Sequence, residues 1–149
     1  MTRHPAFVSL SREHHDGLLL AVRLQQGTRA LERLWSHDVK WQAQNVLDFF
    51  TRHLEKHFRD EEEILFPEAA AISGEGRGMV DGLITDHQEM RRLAGTLRDP
   101  AGGAPEQTLK EFGAILERHI RQEEREFFPF CESRMSEEKL TTLAEALNH

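Results

Sequence analysis

The chain has one cysteine, Cys131, and no tyrosine among its 149 residues. A single cysteine excludes an internal disulfide and any cysteine-ligated cluster built within one chain. No apolar run approaches the roughly 20 residues needed to cross a bilayer. Basic residues are in deficit, and the formal net charge of -7 speaks against nucleic acid or an anionic membrane as partner, since both attract basic surfaces. Residues 1–10 hold no apolar core of a secretion signal, so a cytoplasmic protein is expected. Val, Ile and Thr are sparse, which disfavours strands. Leu, Ala, Glu, Arg and Gln dominate instead, and they favour helix. With 38% hydrophobic and 30% charged residues, the composition suits amphipathic helices with solvated outer faces. Nine histidines are the excess that needs a cause.

Apolar spacing predicts helices over 9–34, 38–70, 77–98 and 106–131, with a short one over 137–147. Ser36 and Ser136 are the expected N-caps of the second and last helices. Glycine-rich residues 73–78 and the Pro/Gly segment 99–105 should break the chain, and Pro67 and Pro129 should end or kink their helices. Short connections favour antiparallel neighbours, so the expected fold is all-α: one domain spanning 1–149, an up-down-up-down four-helix bundle with a short C-terminal helix.

An internal repeat carries the chemistry. Residues 47–67 and 109–129 match at an offset of 62, with ten of 21 positions identical: Leu47/Leu109, Phe50/Phe112, Leu54/Leu116, Glu55/Glu117, His57/His119, Arg59/Arg121, Glu61/Glu123, Glu62/Glu124, Phe66/Phe128 and Pro67/Pro129. Leu47, Phe50, Leu54, His57, Glu61 and Ile64 share one helix face, as do Leu109, Phe112, Leu116, His119, Glu123 and Phe127. Each copy therefore sets a His and a Glu, one turn apart, inside an apolar stripe. An unpaired buried carboxylate costs several kcal/mol, and a cation bound by both side chains removes that cost. A metal-free His–Glu hydrogen bond is the alternative.

The first and third helices should face this pair. His87 has Leu83, Leu93, Ala94 and Leu97 on its face; His14 has Leu10, Leu20, Ala21 and Leu24 at the same offsets, and Glu13 corresponds to Asp86. Aligning His15 instead gives a more polar face, so His14 is the preferred candidate and His15 its alternate. His53 reads as a core or supporting residue. His4, His37 and His149 read as solvated, as do Asp60, Glu63 and Arg125. Trp35 and Trp41 read as packing residues, and Glu62 and Glu124 as groups that orient histidines or lie in solvent.

These motifs, Glu13-His14, His57 to Pro67 as HFRDEEEILFP, Asp86-His87 and His119 to Pro129 as HIRQEEREFFP, resemble the hemerythrin-like, or HHE cation-binding, family. The resemblance spans nearly the whole chain. It implies a left-handed four-helix bundle around two non-heme, carboxylate-bridged iron ions. His14, His57, His87 and His119 would be terminal ligands, with Glu61 and Glu123 bridging. Zinc or manganese also suit a His/Glu site. Oxygen-carrying members have a second third-helix histidine and HxxxxD on the fourth helix, whereas this chain has Arg91 and HxxxE. It is closer to members with four histidines and two glutamates, which include iron-centre repair proteins and an iron-sensing domain, although the cysteine-bearing module of the repair proteins is missing. A ferritin-like site is disfavoured, because no His here has a Glu three residues before it. The expected role is a binding or sensing protein for oxygen, nitric oxide, peroxide or iron, with a small diatomic or peroxide as partner. The alternatives are a diiron oxidoreductase and a reversible oxygen-binding protein. No catalytic residue and no protein partner follow from the sequence.

Overall fold

A computed structural model of the chain describes residues 3–26, 36, 38–99 and 105–148. Every regular element among them is helical, and none is long and apolar enough to cross a membrane. A single 3₁₀ turn, Pro5–Phe7, leads into α1, Val8–Gln26. Helix α2 runs over 39–70, α3 over Gly74–Arg98, α4 over 105–134 and α5 over Glu137–Leu147. The expectation for 27–34, and those for Trp35, His37 and His149, lie outside the described residues.

Local chemistry moves two expected boundaries. Asp38, not Ser36, caps α2, its carboxylate accepting the Lys40 N–H, while Ser36 Oγ accepts the Asp38 N–H one turn earlier. Helix α3 starts at Gly74 and not after the glycines, because Ser73 Oγ accepts the Gly76 N–H as an N-cap. Gly76 is required there: a Cβ would overlap the Ala69 carbonyl and crowd the Phe130 ring. Ser136 does cap α5, accepting the Lys139 N–H.

Neither proline ends its helix. A π turn precedes each, Glu61–Leu65 before Pro67 and Glu123–Phe127 before Pro129, in which the Phe66 and Phe128 N–H groups reach back five residues to the Glu61 and Glu123 carbonyls. The wider turn accommodates a ring that has no N–H and would clash with a regular ladder. It also resets the face. At about 100° per residue, a position five after Glu61 would point roughly 140° away in a regular helix; the π turn returns Phe66 and Phe128 to the core, where both are 1% exposed or less. The expected stripe through Ile64 shifts accordingly, and Leu65 is the fully buried residue. A third π turn, Phe50–Leu54, has no counterpart in the second repeat, which is α-helical there.

Two apolar clusters form the core. One joins Leu20 and Leu24 of α1, Phe50 and Phe58 of α2, Met90 and Leu93 of α3, and Phe112 and Ile120 of α4. The other joins Leu10, Leu65, Leu83 and Phe127 of the same four helices to Phe7 and to Leu140 and Leu143 of α5. Each fully buried Leu or Phe contributes about 1.5–3 kcal/mol. Each of α1 to α4 contributes residues to both clusters. The closest approach is between α1 and α4, where a Cβ on Gly113 would sit 2.9 Å from the Ala21 carbonyl oxygen and from Leu24 Cβ.

Candidate metal centre

Between the two apolar clusters lies a polar layer: His14, His57, Glu61, His87, His119 and Glu123, all buried, with both glutamates at 0% exposure. One residue comes from α1, two from α2, one from α3 and two from α4. The structure brings together all six residues expected from the sequence. His15, the alternate to His14, is exposed.

The histidines face one another in pairs. His14 Nε2 is 3.2 Å from His57 Nε2, and His87 Nε2 is 3.2 Å from His119 Nε2. Glu61 stands between the pairs, with Oε1 at 3.0 Å from His87 Nε2 and Oε2 at 3.5 Å from His57 Nε2. Glu123 Oε1 lies 3.0 Å from His14 Nε2 and 3.4 Å from His119 Nε2. Two groups of candidate ligand atoms result, one of His14, His57, Glu61 and Glu123, the other of Glu61, His87 and His119.

Each histidine turns its other nitrogen to a carboxylate. His14 Nδ1 is 2.6 Å from Glu124, His57 Nδ1 3.3 Å from Glu13, His87 Nδ1 2.6 Å from Glu62, and His119 Nδ1 3.1 Å from Asp86. The pattern is pseudo-symmetric. The residue before each α1 or α3 histidine reaches the histidine of the repeat, and the residue after each repeat glutamate reaches back to α1 or α3. Glu13 and Asp86 had no role in the sequence reading, because their partners lie on other helices; the only signal was that each precedes a candidate histidine. Arginines close three of these contacts. Arg91 grips both oxygens of Glu62 at 2.9 and 3.0 Å, Arg118 binds Asp86 at 2.7 Å, and Arg3 lies 3.5 Å from Glu124 while donating at 2.8 Å to its carbonyl. Phe58 stacks on His87 at 3.8 Å and Phe128 on His14 at 5.6 Å.

Burial would lower the pKa values of His57 and His119, but the Glu61 charge on the first and the Glu123 charge on the second outweigh it. Both stand well above the usual imidazole value. Burial likewise works to raise Glu123, yet His119 and His14 hold it well below the usual carboxylate range. His14 is raised, burial being outweighed by hydrogen bonds to Glu123 and Glu124. The carboxylates thus favour the protonated form of these three histidines.

Several peripheral expectations change. His53 is exposed, not core, with its ring 5.2 Å from Phe49. It lines the rim of a cavity of about 20 Å³ that also touches Gly17, Leu54, His57, Phe58, Leu116 and Ile120. His4 is not simply solvated: its Nδ1 accepts the Ala6 N–H and its Nε2 pairs with Glu137 at 2.9 Å. Trp41, expected to pack, is 37% exposed in the first turn of α2. Cys131 is buried in the second cluster, and burial pushes its thiol up to about 12.

The model of the Hemerythrin HHE cation binding domain matches residues 6–131. The chain belongs to this hemerythrin HHE family. A protein described as a DNA nickase, from Nostoc sp., is 29% identical over 101 residues; the match covers 64% of this chain and 28% of that protein. No solved structure gives a significant match. For a hemerythrin HHE domain, the buried His/Glu layer is the expected place of the cation, and its chemistry fits one. If each histidine donates Nδ1–H to its carboxylate, as a metal ligand does, the Nε2 lone pairs of each pair would face one another across 3.2 Å. The buried Oε2 atoms of Glu61 and Glu123 have no hydrogen-bond partner. A shared cation satisfies all of these atoms together.

Proposed function

We propose that the chain is a four-helix, up-down-up-down bundle that holds two metal ions, iron in the cell, and responds to a small ligand such as oxygen, nitric oxide or peroxide. The facing Nε2 pairs, bracketed by the orphaned carboxylate oxygens of Glu61 and Glu123, carry this reading. His14 and His57 would hold one ion, His87 and His119 the other. Glu61 would bridge them, since its two oxygens face different pairs. Glu123 would complete the bridge from the His14 side. Bound iron supplies the redox and ligand-binding chemistry that no side chain here possesses.

The protein's own contribution is preorganisation. The outer carboxylates fix each imidazole tautomer, leaving Nε2 free to donate. Two nitrogens and shared carboxylates per ion leave coordination positions unused. The cavity beside His57 and His119 has room for about one water or one diatomic molecule, and its Phe49, Leu54, Phe58, Leu116 and Ile120 walls exclude larger polar molecules. We do not extend DNA nicking to this chain: the match covers little of that relative, and a net charge of -7 disfavours nucleic acid.

The test is metal analysis and visible spectroscopy of protein purified without chelator, before and after exposure to oxygen and to nitric oxide. Two irons per chain and ligand-dependent bands are expected. Folded protein that purifies without metal and takes up none when ferrous iron is supplied would refute the proposal.

A further inference from the structure

The four outer carboxylates are not equally supported, and the inequality divides along the two histidine pairs. Both carboxylates behind His87 and His119 are held by arginine. Arg91 binds Glu62 through two nitrogens, and Arg118 binds Asp86 at 2.7 Å. Arg91 also lies 5.5 Å over the Phe58 ring that stacks on His87, so it braces that imidazole by a second route. Behind the other pair, Glu124 is held by Arg3 and by the Ser11 hydroxyl at 2.7 Å. Glu13, the partner of His57, has no arginine or lysine within ion-pair distance among the described residues. Its contact to His57 is the longest of the four, and Lys56 acts on it only at longer range.

From this we infer that the His87/His119 position is the tightly held, slowly exchanging metal position, that the His14/His57 position is the exchangeable one, and that Arg91 and Arg118 are the positioning residues that make the difference. The inference rests on the two-ion reading above. Two effects compete. The unpaired charge of Glu13 attracts a cation more strongly, but its side chain is 36% exposed, and solvent screening limits such a charge to about a fivefold effect or less. Losing the outer partner of a metal-binding histidine costs about 10–100-fold in affinity, and an arginine that holds the partner in place secures a part of that, on each of two histidines here. Preorganisation wins. Cavity placement is in the same direction: the small cavity touches both His14 and His57, and Glu13 behind them, but only His119 of the other pair, His87 being fully buried away from it.

The test loads the full chain with cobalt(II), whose visible absorption reports its coordination, and follows release to excess EDTA. Wild type should bind two ions and release them in two phases of about one ion each. Arg91→Ala and Arg118→Ala should each speed the slow phase severalfold, short of the roughly 10–100-fold expected for loss of the carboxylate itself, and leave the fast phase unchanged. Both side chains are partly exposed, at 36% and 64%, so the variants should fold, which melting of the metal-free forms verifies. Arg118→Lys should restore slow release, because one ion pair suffices there; Arg91→Lys should restore it only in part, since lysine lacks the two-pronged grip. Glu13→Gln should leave the slow phase unchanged. Release of both ions in one phase, or arginine substitutions that speed only the first ion to leave, would overturn the inference while the two-ion reading stands. Saturation below two ions per chain would overturn both.

Discussion

His14 and His57 meet nitrogen to nitrogen, 3.2 Å apart, although they come from different helices and each has its other nitrogen on a carboxylate. Two neutral imidazoles in that arrangement repel unless a proton or a metal ion lies between them. The neighbouring carboxylates raise the pKa of both residues, which favours a proton there when metal is withheld.

Removing metal should therefore destabilise the fold without abolishing it. A ligand present at about 100 times its Kd adds about 2.7 kcal/mol, and a domain of this size shifts by about 2–4 °C per kcal/mol. Thermal melts with and without chelator should differ by at least about 5–10 °C. An unchanged melting temperature would count against a buried centre.

The glutamates should not behave alike. Glu61 belongs to both groups of ligand atoms and Glu123 only to the His14 group, so Glu61→Ala should lose more metal per chain than any other single substitution. His14→Ala should remove about one equivalent, and His15→Ala, on an exposed residue, should be silent. Metal content of each purified variant measures this, and depletion by His15→Ala would place the wrong histidine in the centre.

The pH dependence has a definite sign. The stability that His57 and His119 gain from their carboxylates is fully present below their unfolded value near 6.5 and is lost as pH rises through their raised folded values. Metal-free protein should thus lose stability on going upward from about pH 6.5. Metal competes with those same protons, so its affinity should rise over that range. The melting-temperature gap between loaded and chelated protein should widen with pH, and a narrowing gap would contradict the assignment.

Reversible oxygen carriage is not expected. Where oxygen-carrying hemerythrins have a second histidine on the third helix, this chain has Arg91, and the structure commits that side chain to Glu62. Each ion would then have two histidine nitrogens, and among the described residues no further histidine joins the buried layer. Cycling reduced, iron-loaded protein between oxygen and vacuum should show incomplete return to the colourless spectrum. Full return over several cycles would be contrary.

The site was legible because a repeated His–Glu pair inside an apolar stripe is costly without a common purpose. The choice of His14 over His15 followed from the same face analysis, and burial agrees with it. Other features needed the folded chain. The π turns at Glu61 and Glu123 come from prolines six residues on, and their effect is to bring Phe66 and Phe128 inward, which a 3.6-residue period misses. Glu13 and Asp86 act on histidines of other helices, and Arg3 and Arg118 bind acidic residues of other elements, relationships that no local spacing encodes. His53 shares the face of His57 in a regular helix, but the Phe50–Leu54 π turn leaves it at the rim.

The most direct measurement is a crystal structure of the metal-loaded protein with anomalous scattering recorded at the metal edge. Two peaks are expected, one among His14, His57, Glu61 and Glu123 and one among Glu61, His87 and His119. A single peak, or peaks outside this buried layer, would contradict the two-ion centre.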